Sequence, residues 1–192
     1  MSNETPHITP TFEHIIKKEV RNFKTGEICY MEGGSEMTFS DEDVQAITRI
    51  CSQDEVYDMI FRHRMAGKPY TEEKARSFIT RLQAGWRDQT QFTFIVRNSN
   101  NEIIGTIDIK SPDLNGAEIG YWSDKNSSGF MTNALGELVL VAAQAGYRIL
   151  HAKVLTHNTK SANLLERVGF VKRDGTVMID GGEYNEFDKK IR

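Results

Sequence analysis

The apolar positions of this chain repeat with two different periods, and the switches between them mark out its elements. The first forty residues carry the weakest pattern. Ile28-Cys29-Tyr30-Met31 reads as a strand and Glu32-Gly33-Gly34-Ser35 as a turn. From residue 40 the spacing is helical. Ser40 is a good N-cap, Asp41, Glu42 and Asp43 suit a first turn, and Val44, Ile47, Ile50 and Cys51 share one face. A second helix is expected from Thr71, with Ala75, Phe78, Ile79 and Leu82 as its stripe and Gly85 as its stop. Residues 56–65 have helical character that Arg62-His63-Arg64 blurs; that cluster reads as a solvated face.

The middle of the chain changes to a period of two. Residues 92–96 read as a strand, Asn98 to Asn101 as a turn, and residues 103–109 as a strand with Ile103, Gly105, Ile107 and Ile109 on one side. Asn115-Gly116 signals a tight hairpin, and residues 117–122 then complete an antiparallel meander. Helical spacing returns at Thr132, through Ala134, Leu135, Leu138, Val141, Ala142 and Ala145, with Gly146 as the stop. Residues 149–155 read as a strand. Asn158 or Thr159 caps a short helix that carries Ala162, Leu165 and Val168 and ends at Gly169, with Phe170 folding back on it. Residues 177–191 hold one or two last strands. The fold class is α+β: a meander, then strand–helix–strand–helix.

Composition narrows the function. Of 192 residues, 39% are apolar and 27% charged, which fits a globular chain and not a disordered one. The net charge of −3 removes the electrostatic case for direct nucleic-acid binding. The longest apolar run is Leu138 to Ala143, where a membrane span needs about 20 residues. The opening Met-Ser-Asn-Glu has neither the basic nor the apolar region of a signal peptide, and Cys29 and Cys51 do not make a disulfide scaffold. The expectation is a single cytoplasmic domain over residues 1–192, with homodimerisation as a base-rate expectation only.

Chemistry concentrates between Glu118 and Phe170. A strand ending in Tyr121-Trp122 runs into Asn126-Ser127-Ser128-Gly129-Phe130-Met131, and a helix opens at once. The unpaired N–H groups of a helix start attract anions, and small residues let a phosphate approach them, with Ser127 and Ser128 adding hydroxyls. A polar connection that binds nothing has the same local pattern. Spacings for zinc, for a P-loop and for a nucleophile elbow are missing from the sequence, so no metal is expected. Trp86, Trp122, Phe92 and Phe94 read as core or pocket walls.

The succession EIGYW, small-residue loop, helix, strand and HNTKSANLLERVGF resembles the GNAT superfamily of N-acetyltransferases, and within it the RimJ/RimL-like branch. The resemblance is clearest from Glu118 to Phe170 and implies a GNAT fold, mostly antiparallel, with helices on both faces and a cofactor-binding core at about 117–170. It implies acetyl-CoA as co-substrate. The pyrophosphate would lie on Asn126, Ser127, Ser128, Gly129, Phe130 and Met131, where Asn126 replaces the family's usual Gln or Arg and Ser127 a common Gly. The pantetheine arm would lie in a gap between splayed strands, along Ile119, Tyr121, Trp122 and Ser123, and face Asn158, Ser161 and Asn163. Many members supply a thiolate donor from a Tyr at the position that Leu165 occupies here. Ser161 is therefore the candidate donor, with capping of the short helix as its alternative. Asn158 is a candidate for cofactor or acceptor contact, or the N-cap.

Transfer to an amine requires a neutral amine, a stabilised carbonyl oxygen and a protonated leaving thiolate. Glu118 is the candidate base, through a pKa raised by partial burial; the alternative is a solvated strand charge. Asp108, His157, Asp180 and Glu183 are its rivals, and Asp180, Glu183 and Glu186 are candidates to attract a cationic acceptor. The resemblance implies direct transfer to a primary amine, a protein N-terminus or a small molecule, with one wall of the acceptor groove built by residues 40–85. A non-catalytic acyl-CoA-binding or regulatory protein on the same fold is the alternative, because Leu165 and Asn126 depart from the family pattern.

Overall fold

The structure, a computed structural model, describes residues 9–191; the side chains of His63 and Arg64 and residues 1–8 and 192 lie outside the described set. The chain first builds an antiparallel meander from β1 (Ile15–Arg21), β2 (Ile28–Gly34), β3 (Phe92–Arg97), β4 (Ile103–Ile109) and β5 (Ala117–Ser123). Then β6 (Ile149–Leu155) joins β5 in parallel, β9 (Gly182–Lys190) pairs with β6, and the short β7 (Val171–Lys172) and β8 (Val177–Ile179) both pair with β9.

Between β2 and β3 lie α1 (Asp41–Cys51), α2 (Asp54–Val56), a π-helical turn over Tyr57–Phe61, α3 (Arg62–Met65) and α4 (Glu72–Arg87). Ser40 and Asp43 form the capping box that starts α1, and Thr71 caps α4. Trp86 of α4 stands edge-on to Phe92 and Phe94, with ring centroids 5.1 Å apart in each case. Arg62 is exposed and pairs with Asp58 one turn earlier, as a solvated face requires.

The other face of the sheet is covered by α5 (Met131–Gln144) and α6 (Thr159–Arg167). A Cβ at Gly105 of β4 would meet the side chains of Phe130 and Met131 at the start of α5. The end of α6 is a Schellman turn. Gly169 has φ +85°, Phe170 N–H reaches the Leu165 carbonyl at 3.0 Å, and Gly169 N–H reaches Glu166 at 2.9 Å. Leu165 and Phe170 are both buried, so this ending ties α6 to the core.

Three sequence expectations are corrected, and two strands lie where none was expected. β1 has no clear signal in the sequence because Lys18 takes the inward position between the buried Ile16 and Val20 while the apolar Ile15 points outward, which hides the alternation that the burial pattern shows. Gly33 and Gly34 continue β2 where a turn was expected; a Cβ at Gly33 would lie 2.5 Å from the Phe94 ring, so this glycine serves packing. Gly85 lies inside α4, backed against Gln91, and the helix runs on to Arg87. Asn115-Gly116 is not a two-residue hairpin: residues 110–116 form a longer connection in which Asp113 accepts from the N–H groups of Asn115 and Gly116. The tight turn with two positive φ values is Asp180-Gly181, between β8 and β9. The short β7 was not expected.

Candidate active site

The strands β5 and β6 share only two register pairs, Ala117 with Leu150 and Glu118 with His151. Past that point β5 stays bonded to β4 as far as Ser123, and β6 stays bonded to β9 as far as Leu155. Each strand is held on its outer side while the inner sides diverge. From Ile119 and from Ala152 onward, the facing edges have no ladder partner among the described residues. An exposed strand edge of this kind offers N–H and C=O groups to an extended ligand with amides of its own.

Alternation on β5 assigns its side chains to two faces. Ile119, Tyr121 and Ser123 pair with Ile109, Ile107 and Gly105 and face α5 and α6. Glu118, Gly120 and Trp122 face the α4 side, where the Trp122 ring lies 6.1 Å from Phe78.

The mouth of the opening leads to the loop before α5. Phe130 is the N-cap residue but gives no side-chain cap, and its ring is fully buried, as Met131 nearly is. No hydrogen bond from the backbone N–H groups of residues 128–133 is found among the described residues. The loop carbonyls, in contrast, are engaged. Ser128 C=O accepts from Asn22 Nδ2 at 3.2 Å, and Gly129 C=O accepts from Phe23 N–H at 3.0 Å. Within a planar trans peptide the N–H opposes the C=O, so these contacts turn the N–H groups of Gly129 and Phe130 away from the β1–β2 hairpin. That leaves a cradle of unpaired donors at the positive end of a 14-residue helix, which suits a phosphate anion.

Gly129 has φ +111°, and a Cβ there would sit 2.3 Å from Asn22 Oδ1. Its glycine is thus required by the packing of the hairpin against the loop. The other end of the loop is anchored by Asp124, which is 4% exposed. Its carboxylate accepts from Arg49 at 2.6 Å, Gln53 at 2.8 Å and the Asn126 N–H at 2.9 Å, while Gln53 Oε1 accepts from Lys125 N–H. Burial raises the Asp124 pKa, but these donors outweigh it and hold the carboxyl below its ordinary range. Ser127 N–H bonds back to the Asp124 carbonyl.

Across the opening, Tyr121 Oη lies 2.5 Å from Ser161 Oγ. Burial pushes the phenol up to about 12 despite that hydrogen bond. Asn158 is the N-cap of α6 and accepts from Ser161 N–H at 3.1 Å, so the cap is Asn158 and the Ser161 hydroxyl is left for Tyr121. Asn163, two residues past Ser161 and so turned away from it on α6, is exposed.

On the opposite face Glu118 lies between two ammonium groups, Lys110 at 2.6 Å and Lys153 at 3.0 Å. Burial raises its pKa, yet the two lysines together hold it below the ordinary glutamate value. The expected upward shift is therefore corrected: the site supplies more positive charge than desolvation removes. Asp108 belongs to the same patch, since a Cβ at Gly120 would lie 2.7 Å from its carboxylate.

A profile of the acetyltransferase (GNAT) domain matches residues 37–171. The chain belongs to this acetyltransferase family. No curated protein sequence matches it. Among solved structures, Mycobacterium smegmatis RimJ in complex with CoA-disulfide is 20% identical, with a TM-score of 0.73 over 95% of this chain and 90% of that one. A ribosomal-protein-S5-alanine acetyltransferase from Vibrio fischeri is 19% identical, with a TM-score of 0.68 over 92% and 97%. Spermidine N-acetyltransferase from Vibrio cholerae, in complex with CoA and spermine, is 14% identical, with a TM-score of 0.66 over 85% and 95%. These likenesses are likenesses of fold.

In this acetyltransferase the other candidates for the base or for attracting a cation are scattered. His157 is exposed in the turn before α6. Asp180 is a turn residue, Glu183 accepts from the Thr176 hydroxyl, and Glu186 pairs with Arg173. Arg173 also contacts Asp188, which pairs with His151. Asn22, Arg49, Gln53 and Asp124 were not anticipated. Asn22 and Arg49 meet the loop across 75 residues or more, and no local spacing signals such contacts. Among the described residues no helix is long and apolar enough to cross a membrane, and no group of three or more His, Cys, Asp or Glu could hold a metal.

Proposed function

We propose that this acetyltransferase moves the acetyl group of acetyl-CoA directly to a primary amine, without a covalent enzyme intermediate. The observation that carries the reading is the divergence of β5 and β6 after Glu118, in line with the unpaired N–H groups of residues 128–133. The diphosphate fits the donors at Ser128, Gly129, Phe130 and Met131, at the end of a loop that begins near Asn126 and Ser127. The pantetheine amides fit the free edge from Ile119 to Ser123. A ligand held at both ends has its thioester aimed between the strands, and positioning of an already activated carbonyl supplies much of the rate.

The hydrogen-bonded Ser161 and Tyr121 hydroxyls then face the sulfur from one side, and one O–H protonates the departing thiolate while the other orients that donor. Asn158 orients Ser161 through the backbone, whereas Asn163, two residues past Ser161, falls on a different face of α6 and is a candidate for an outer contact only. Glu118 is on the Trp122 face, where an acceptor would arrive. Held ionised, it attracts an ammonium group, and the proton leaves through water. The acceptor class is a primary amine, either a protein N-terminus or a small cation; the named relatives acetylate ribosomal proteins and spermidine. We place the reaction in one domain in the cytoplasm, where acetyl-CoA and reduced thiols such as Cys29 and Cys51 coexist.

The test is titration calorimetry with acetyl-CoA, followed by CoA-release assays on N-terminal peptides and on small amines. Binding with turnover on either acceptor class supports the proposal. Binding without turnover on any amine replaces it with a regulatory acyl-CoA-binding role.

A further inference from the structure

The tip of the β1–β2 hairpin has an exposed cation that the fold does not neutralise. Lys24 Nζ donates to Ser128 Oγ at 2.9 Å, and Lys24 is in no ion pair among the described residues. The tip is a shaped element. Asn22 Oδ1 accepts from the N–H groups of Lys24 at 2.9 Å and Thr25 at 3.3 Å, and Asn22 itself is buried. Asn22 and Phe23 bond the carbonyls of Ser128 and Gly129, so the ammonium is held at the rim of the 126–131 loop on the hairpin side, beside the Ser128 hydroxyl, while the N–H groups of Gly129 and Phe130 open on the other side of that rim.

We propose that Lys24 is a phosphate-binding residue of this site, taking a phosphate of the CoA nucleotide at the rim of the 126–131 loop. The inference rests on the acetyl-CoA reading above and adds a residue that lies outside the loop-and-helix segment. Its physical basis is charge. Neutral N–H donors hold a phosphate by dipoles, whereas an ammonium within hydrogen-bonding reach adds a charge-assisted bond of roughly twice the strength. The hydroxyl of Ser128 is a weak partner for a full charge, and a phosphate oxygen replaces or shares it at little cost in order, because the hairpin is already pinned.

The experiment compares wild type, Lys24→Ala and Lys24→Arg by titration calorimetry with CoA, 3′-dephospho-CoA and pantetheine, after apo melting temperatures are measured. The expected result is a Kd for CoA raised roughly tenfold or more in Lys24→Ala, with most affinity kept in Lys24→Arg. Pantetheine, which lacks phosphate, should bind both variants as it binds wild type. In steady state KM for acetyl-CoA should rise while kcat stays close to wild type. A penalty that persists with 3′-dephospho-CoA places the contact on the diphosphate, and one that vanishes places it on the 3′-phosphate; either supports the proposal. Equal CoA affinity in wild type and Lys24→Ala overturns it. So does an equal loss for CoA and pantetheine with a lowered apo melting temperature, which would make Lys24 structural. Wild-type protein that does not bind CoA overturns the acetyl-CoA reading as well.

Discussion

The hydroxyls of Tyr121 on β5 and Ser161 on α6 meet at 2.5 Å, and they are the point where the two walls of the opening touch. In the proposed reaction this pair supplies the hydroxyl for the leaving thiolate, since Leu165 has none to give. Ser161→Ala is expected to lower kcat by about 10²-fold, the low end for proton transfer by a positioned group, with KM for acetyl-CoA within about twofold. Tyr121→Phe should have a smaller effect. The double variant should lose less than the product of the two single losses, since both act on one hydrogen-bonded unit. Unchanged turnover in Ser161→Ala would remove it from the chemistry.

Gly129→Ala combines a left-handed φ with a clash against Asn22. A cost of about 1–3 kcal/mol in stability is expected for that strain, read as a lower midpoint in urea unfolding. Asn22→Gly should cost less in the Gly129→Ala background than in wild type, because there it also relieves the clash. If the single variant melts like wild type but no longer binds CoA, the glycine serves ligand approach alone.

Asp124 joins α1 and the turn after it to the loop before α5, through Arg49 and Gln53. Asp124→Ala leaves the Asn126 N–H and the Gln53 amide without their acceptor and frees both ends of the cradle's base. A loss of about 2–4 kcal/mol follows from orphaned buried donors and a broken, partly buried ion pair. CoA affinity should fall with it. Arg49→Ala should cost less, since its side chain is 53% exposed. Equal costs would mean that the ion pair, and not the backbone anchoring, is what Asp124 provides.

Acid should loosen the same two carboxylates. Glu118 and Asp124 both titrate lower in the folded state than their ordinary values of 4.5 and 3.8. A group of this kind stabilises the fold above its unfolded pKa and loses that contribution as pH falls through the folded one. Unfolding free energy should therefore be insensitive to these groups above about pH 5 and decline below it. Glu118→Gln should flatten part of that decline; an unchanged acid slope would show that the two lysines do not hold Glu118 ionised.

The same variant separates two roles for Glu118. If water carries the proton away, Glu118→Gln should raise KM for a cationic acceptor and leave the shape of the pH–rate profile unchanged. Loss of the basic-pH dependence would make Glu118 the base.

Legibility followed the range of the interactions. The capping box at Ser40, the Asn158 cap and the Schellman turn at Gly169 are local, and the residues that make them lie within a few positions of each other. β6 was readable to the residue because apolar residues occupy its inward positions, whereas in β1 the inward positions run Ile16, Lys18 and Val20 and the exposed Ile15 is apolar, so the alternation does not show in residue type. Gly85 and Gly33 misled because a glycine that makes room for Gln91 or for the Phe94 ring looks, in sequence, like one that ends an element.

The amino-acid order alone determined the element types, the family resemblance and the loop that faces the helix start, since periodicity, caps and turn chemistry act over a few residues. Only the tertiary structure decided that β5 and β6 part after Glu118, that Asn22 and Asp124 grip the loop from opposite sides, and that two lysines set the charge state of Glu118. Those outcomes depend on which distant groups arrive within hydrogen-bonding distance. Chain closure over 70 or more residues leaves no periodic trace in the sequence that achieves it.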